Sequence, residues 1–377
     1  MVATRLRMGM IGGGPGAFIG AVHRIAAEMD REIELVAGAF SSDPVKSREA
    51  GHCYGVNPNR AYSDYSTMMM TERSRQDGID FVAIVAPNHV HLPAARAALE
   101  AGIAVMSDKP MTATLAEARD LAEIIGRSKV AYRLTYTYTG YPLVREARRL
   151  VAEGVLGSVR KVVVEYSQGW LALPAERSGR KQAEWRADPA RAGEGGCIGD
   201  IGVHAFNLAE FVSGVHVTEL CADLSTVVLG RQLDDDCNIL LRFNNGARGV
   251  LISSQIAVGT RNQLRLRVYG EKAALDWQQE TPNTLTVDHL NGRSETLHAG
   301  TAVIGTHAAA ASRLPPGHPE GYLEAFANLY RDFAQLLKGE GDAALVPGVV
   351  EGLRGMVFVS AAVANSRAAA GWSKLKP

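Results

Sequence analysis

Lys109, Asp200 and His204 are side chains whose types could move a proton and hold a developing charge. Asp200 and His204 stand four apart, so a helical turn would present both on one face. Gly195-Gly196 precedes them and lets that turn approach another group closely. An imidazole with its ordinary pKa of about 6.5 can take a proton from a hydroxyl. Lys109 sits beside Pro110, outside any charge run. As a cation it can orient a hydroxyl, stabilise an alkoxide and relay a proton. Asp200 can position further hydroxyls and share that proton network. The set suits oxidation of an alcohol, in which a proton leaves oxygen as hydride leaves carbon. Such a reaction needs a hydride acceptor.

The N-terminal region offers a place for one. Residues 8–20, MGMIGGGPGAFIG, hold six glycines in thirteen positions. Gly12, Gly14 and Ala17 fit the pattern GxGxxA, with Pro15 and Gly16 between, after a predicted strand and before a predicted helix. The first glycine allows a tight turn and the second lets the backbone approach a pyrophosphate. The small third residue packs helix against strand, and the helix N-terminus faces the phosphates. A bound dinucleotide is expected. The next strand ends in Phe40-Ser41-Ser42, without the acid that commonly reads a ribose 2′-hydroxyl, so the serines are expected to face the ribose. No arginine follows directly, which favours NAD and leaves NADP open. Asp43 before Pro44 reads as a helix N-cap. Pro87, Asn88 and His91 follow one later strand and Lys109 the next. Both lie at carboxyl ends of parallel strands, where open α/β sheets bind ligands, so these residues too are expected at the cofactor.

The elements that must position these groups alternate at first. Strands are predicted at Arg7 to Ile11, Ile33 to Ala39, Ile79 to Ala86 and Ile103 to Ser107. Helices are predicted at Gly20 to Met29 and Val90 to Ala101, and another opens at the capping box of Thr114 and Glu117. That rhythm implies a doubly wound parallel sheet. After a helix at Tyr141 to Glu153, strands follow one another: Val159 to Ser167, Glu219 to Leu229, Cys237 to Phe243, Arg248 to Ile256, Leu264 to Tyr269 and Leu285 to His289. Asn244-Asn245-Gly246 is a hairpin signal. A largely antiparallel α+β domain is expected there. Segment 291–320 reads as a long loop, and Val349 to Ala370 as a helix. Two domains result, 1–140 and 141–377.

Composition excludes several roles. The formal net charge is zero, which gives no pull toward nucleic acid or anionic membrane. No continuous apolar run is long enough to span a bilayer. His23, Arg24 and Glu28 interrupt the start too early for a signal sequence. Cys53, Cys197, Cys221 and Cys237 are scattered, so no metal site or disulfide framework is expected, and a reducing cytoplasm fits.

These motifs together resemble the Gfo/Idh/MocA family of NAD(P)-dependent oxidoreductases over nearly the whole chain. The resemblance rests on the glycine loop, Pro87-Asn88 with His91, Lys109-Pro110, and the run from Gly195 to His204. Asp108 stands where the family commonly has glutamate before its lysine. The resemblance implies that Lys109, Asp200 and His204 are the catalytic set. It also implies a Rossmann domain joined to an open, mostly antiparallel sheet that makes a homo-oligomer, dimer or tetramer. The implied substrates are sugars, cyclitols and related polyols. Tyr138 and Trp185 could stack on a sugar face, and Arg186 could fork onto hydroxyls or an acid group. His318 or Glu320, in a segment similar to relatives acting on anhydro-sugars, could reach the substrate from the far side. The leading expectation is an NAD-dependent sugar dehydrogenase acting on a pyranose ring hydroxyl, carbon 3 among the candidates. The alternative is a redox-neutral glycoside hydrolase that oxidises transiently, eliminates, hydrates and re-reduces, with an anionic sulfonated glycoside as one substrate. A non-catalytic dinucleotide or sugar sensor ranks third, because the reactive set is intact.

Overall fold

The computed structural model describes residues 5–376. In chain order the first elements are β1 (Leu6–Gly12), α1 (Phe18–Glu28), β2 (Ile33–Ala39), α2 (Pro44–Tyr54), β3 (Ala61–Tyr62), α3 (Tyr65–Ser74), β4 (Phe81–Val85), α4 (His91–Glu100), β5 (Ala104–Ser107), α5 (Leu115–Ser128) and β6 (Tyr132–Leu134). Next come α6 (Pro142–Ala152), β7 (Val159–Ser167), α7 (Lys181–Arg186), α8 (Pro189–Ala192), α9 (Val203–Ser213) and β8 (Val217–Ser225). The remainder is β9 (Asp236–Phe243), β10 (Arg248–Ser254), β11 (Gln263–Gly270), β12 (Ala273–Gln278), β13 (Thr284–His289), β14 (Ser294–His298), α10 (Thr306–Ala310), α11 (Tyr322–Leu337), α12 (Val349–Arg367) and β15 (Ser373–Lys374).

The chain divides into two compact units. One holds residues 5–136 together with Phe326–Leu353, and the other holds Thr137–Ala325 together with residues 354–376. The division is therefore not the single cut after residue 140 that the sequence suggests. A late segment returns to the first unit, and its Leu329, Tyr330 and Phe333 are fully buried.

The first unit is a six-stranded parallel sheet in the order β3-β2-β1-β4-β5-β6. β4 (FVAIV) is buried at every position, as a strand covered on both faces should be. Strand order reverses between β1 and β4, and ligands of such sheets bind at that reversal. Helix starts follow their sequence signals. The Asp43 carboxylate accepts the Val45 and Lys46 N–H groups, and Thr114 and Glu117 form the reciprocal capping box.

The second unit is a nine-stranded sheet in the order β14-β13-β12-β11-β7-β10-β9-β8-β15. β7 and β10 run parallel and the other pairs antiparallel. Residues along β9 to β13 largely alternate buried and part-exposed, the period of a sheet with one covered face. Three expectations are corrected. The strand read as Glu219 to Leu229 ends at Ser225, because the backbone amides of Val227 and Val228 turn onto the Asp235 carboxylate. Segment 291–320 is not a continuous loop: it holds β14, which pairs with β13, and the short α10. β12, with the buried Trp277, is a strand the sequence reading did not separate. One helical stretch, Ala343–Arg367, is long and apolar enough to cross a membrane by composition, and most of it is buried as in a core helix.

Candidate active site

In the first unit the glycine loop joins β1 to α1 at the strand reversal. Gly12 has a φ of 92°, which favours glycine, and a Cβ there would lie 2.6 Å from the Val85 carbonyl oxygen. A Cβ on Gly14 would lie 2.5 Å from the Phe40 carbonyl oxygen at the end of β2. Gly14 is thus required by the approach of β2 as well as by any pyrophosphate. Pro15 and Gly16 are exposed, and the first turn of α1 holds no acid that would oppose a phosphate. The loop fits a dinucleotide. The expected packing role of Ala17 is corrected: Ala17 is half-buried at the helix cap, and the fully buried Gly20 makes the tight contact with Gly13.

Phe40 follows β2 directly, beside the glycine loop. Its ring is buried against Gly38, Gly51 and Tyr54, so only its backbone faces the loop. The Ser41 hydroxyl accepts the Asp43 N–H, and Ser42 is exposed. Asn88 opens a short turn after β4, behind Pro87. His91 is 1% exposed, and its two ring nitrogens lie 2.8 Å from the Pro110 carbonyl and 2.9 Å from the Ala86 carbonyl. Its place is therefore a brace between the loops after β4 and β5, not a cofactor contact. Burial lowers its pKa, while Asp108 and the two carbonyls pull the other way and Lys109 adds to the lowering. Asp108 accepts the Lys109 N–H and the Thr135 hydroxyl, both at 2.9 Å. That tie sets the start of the Lys109 loop, and the Lys109–Pro110 peptide bond is cis.

In the second unit a single π turn, Ile198–Gly202, carries Asp200 and runs directly into α9, which carries His204. Such turns recur at functional sites. The Asp200 carboxylate accepts the Arg186 Nε–H at 3.1 Å and the Gln255 Nε2–H at 2.8 Å. His204 is buried, with the Tyr138 ring edge-on at 4.9 Å and the Tyr166 ring at 6.4 Å. The Tyr138 and Tyr166 hydroxyls bond each other. Tyr166 donates to Asn262 Oδ1 at 2.7 Å, Gln168 donates to the same oxygen at 2.6 Å, and Trp170 donates to Gln168 at 2.9 Å. Burial raises the pKa of both tyrosines, keeping them neutral donors.

Several expected substrate contacts take other places. Tyr138 is buried and stacks parallel to Tyr141, so it buttresses His204 rather than offering a free face. One face of Trp185 is covered by the Arg186 guanidinium at 4.3 Å. Glu320 is buried and accepts the Arg313 and Leu314 N–H groups, while His318 is exposed and turned onto its own loop at the Pro315 carbonyl. The long segment before Gly195 is ordered by Arg231, whose buried guanidinium holds Glu176, Asp235 and the Leu171 carbonyl. Gln255, Tyr166, Gln168 and Asn262 escaped sequence reasoning. They sit in or next to strands, where the period-2 pattern identifies the buried face but not which polar residues converge.

Both halves of the chain match known proteins. Residues 6–136 match the model of an oxidoreductase family with an NAD-binding Rossmann fold. Residues 144–276 match the GFO/IDH/MocA C-terminal domain. The chain is 31% identical to the uncharacterized oxidoreductase YfiI of Bacillus subtilis (strain 168), over 100% of this chain and 98% of that one. It is 25% identical to a levoglucosan dehydrogenase of Pseudarthrobacter phenanthrenivorans, over 84% of this chain and 82% of that one. A crystal structure of an inositol dehydrogenase homolog from Azotobacter vinelandii, complexed with NAD+, superposes with a TM-score of 0.94 at 35% identity, covering 99% of this chain and 98% of that one. A second structure of that homolog is complexed with NADH and myo-inositol.

Proposed function

Because the chain belongs to the Gfo/Idh/MocA family of NAD-binding oxidoreductases, we propose that it oxidises a ring hydroxyl of an uncharged sugar or cyclitol, with Lys109, Asp200 and His204 as the reacting set. NAD, held by the loop from Gly12 to Ala17, supplies the hydride acceptor. His204 takes the hydroxyl proton. Lys109 holds the hydroxyl and stabilises the charge that develops on it. Asp200 fixes the substrate's other hydroxyls.

The observation that carries this reading is the Asp200 carboxylate, bound by Arg186 and Gln255 four residues before a His204 backed by tyrosines. Arg186 and Asp200 balance each other's charge, and the side chains bonded around them and around Tyr166, namely Gln255, Gln168 and Asn262, are neutral. That balance argues for a polyhydroxylated neutral substrate and against the sulfonated glycoside, whose anion would have to take Arg186 from Asp200. The related levoglucosan dehydrogenase and the myo-inositol complex support the same class. Net oxidation and a redox-neutral glycosidase cycle would use the same residues. A panel of myo-inositol, levoglucosan, free pyranoses and nitrophenyl glycosides with NAD separates them. NADH formation with a free polyol is the expected result. Nitrophenol release without net NADH would replace this reading with the hydrolytic one, and neither signal from any compound would overturn it.

A further inference from the structure

Asp234, on the segment leading into β9, receives bonds from three consecutive backbone amides. Its Oδ1 accepts the Gly196 N–H at 2.7 Å, its Oδ2 accepts the Ile198 N–H at 2.7 Å, and its backbone carbonyl accepts the Cys197 N–H at 2.8 Å. The Cys237 thiol donates to the same Oδ2 at 3.1 Å. These amides open the π turn that carries Asp200, and Cys197 at the cap position makes no side-chain cap of its own. A helix start leaves orphan N–H groups and the positive end of the backbone dipoles. Here a carboxylate from the segment before β9, distant in sequence, satisfies both. The Asp200 N–H in turn donates to the Gly196 carbonyl at 2.9 Å, so the clamped turn and the reacting carboxylate are one hydrogen-bonded unit.

Cys197, Asp234 and Cys237 place their donor atoms within 4.8 Å of one another, which raises the question of a metal ion. The chemistry answers otherwise. Both carboxylate oxygens accept amides of the turn, and the nearer thiol donates its proton to one of them, so these groups already satisfy one another. A neutral Cys237 S–H is instead a donor to Asp234.

We propose that Asp234 is a positioning residue for the reaction: its carboxylate caps the turn from Gly196 to Ile198 and so sets where Asp200 and His204 stand. The inference rests on the reading of those two as reacting groups. The test compares Asp234→Asn, Cys237→Ala, Asp200→Asn and His204→Ala in the full-length enzyme with NAD and the fastest polyol of the panel. Amide hydrogen exchange is measured at Gly196 and Ile198. Asn keeps the shape but can accept at one oxygen only, and its amide nitrogen would face an N–H. One of the two charged hydrogen bonds that hold the turn is then lost. Asp234→Asn should therefore lower kcat about tenfold or more, leave NAD affinity within about twofold, and speed exchange at one of the two amides about tenfold. Cys237→Ala should show a weaker effect in the same direction, and it stands in if Asp234→Asn does not fold. Wild-type kcat in both variants, with Asp200→Asn and His204→Ala slowed, overturns the positioning role alone. A slowed Asp234→Asn with unchanged exchange at both amides also overturns it. Wild-type rates in Asp200→Asn and His204→Ala overturn the proposed reaction residues, and the positioning role with them.

Discussion

At the scale of single residues, the proposed reacting groups stand out in the sequence by residue type, by local spacing and by the family resemblance. Lys109 beside a proline at a strand end, and Asp200 four before His204, need no tertiary information to stand out. Their partners do. Arg186 lies fourteen residues from Asp200 and Gln255 fifty-five, and only the fold brings their side chains onto one carboxylate. The aromatic residues show the limit of residue type as a guide. Tyr138 and Trp185 look like sugar platforms in the sequence, yet one is packed behind His204 and the other lies under a guanidinium. Arg186→Met tests what that guanidinium does. It removes a charged hydrogen bond from Asp200 while keeping the aliphatic stem, so kcat/KM for the polyol should fall roughly 10- to 100-fold. Affinity for NAD should not change. A wild-type kcat/KM in steady-state assays would show that Asp200 needs no such partner.

At the scale of elements, strand and helix periods gave the parallel sheet and its order of service, and capping chemistry located the starts of α2 and α5. Less was readable where long-range pairing decides. β14 is a polar edge strand, visible only through its register with β13. The role of Gly20 hides behind the motif residue Ala17, because close packing depends on where the helix lies, not on the pattern that introduces it. α1 also carries His23, fully buried with Nδ1 2.7 Å from the Tyr330 hydroxyl. Burial lowers its pKa from 6.5 to about 4, with Asp108 pulling weakly the other way. The unfolded chain therefore binds a proton between those values that the folded chain refuses. Stability from this residue is intact above pH 6.5, falls as pH drops toward about 4, and is lost below, a loss of about 3 kcal/mol. Denaturant unfolding of wild type and His23→Gln across that range should show a steeper acid loss in wild type. Parallel curves would remove His23 from the account.

For the whole molecule, the outward face of the second unit's sheet is where assembly is expected. Val163 pairs with Val250 and Val250 with Leu240 across neighbouring strands, a part-exposed apolar row in register, bordered by Glu165 and Arg267. An apolar row flanked by charge on an open sheet face is suited to a second copy. Light scattering should give an oligomer for wild type and a monomer for Val250→Asp, and a monomeric wild type would refute the expectation. The central claim concerns the reaction: hydride leaves a polyol carbon for NAD while His204 takes the hydroxyl proton and Lys109 holds the oxygen. Single-turnover formation of NADH by wild type, His204→Ala and Lys109→Ala, with NAD affinity measured on the same samples, tests it most directly. A positioned proton-transfer group contributes about 10²- to 10⁴-fold, so both variants should be slowed by that order while binding NAD within about twofold of wild type. Hydride transfer at the wild-type rate in both variants would contradict the account.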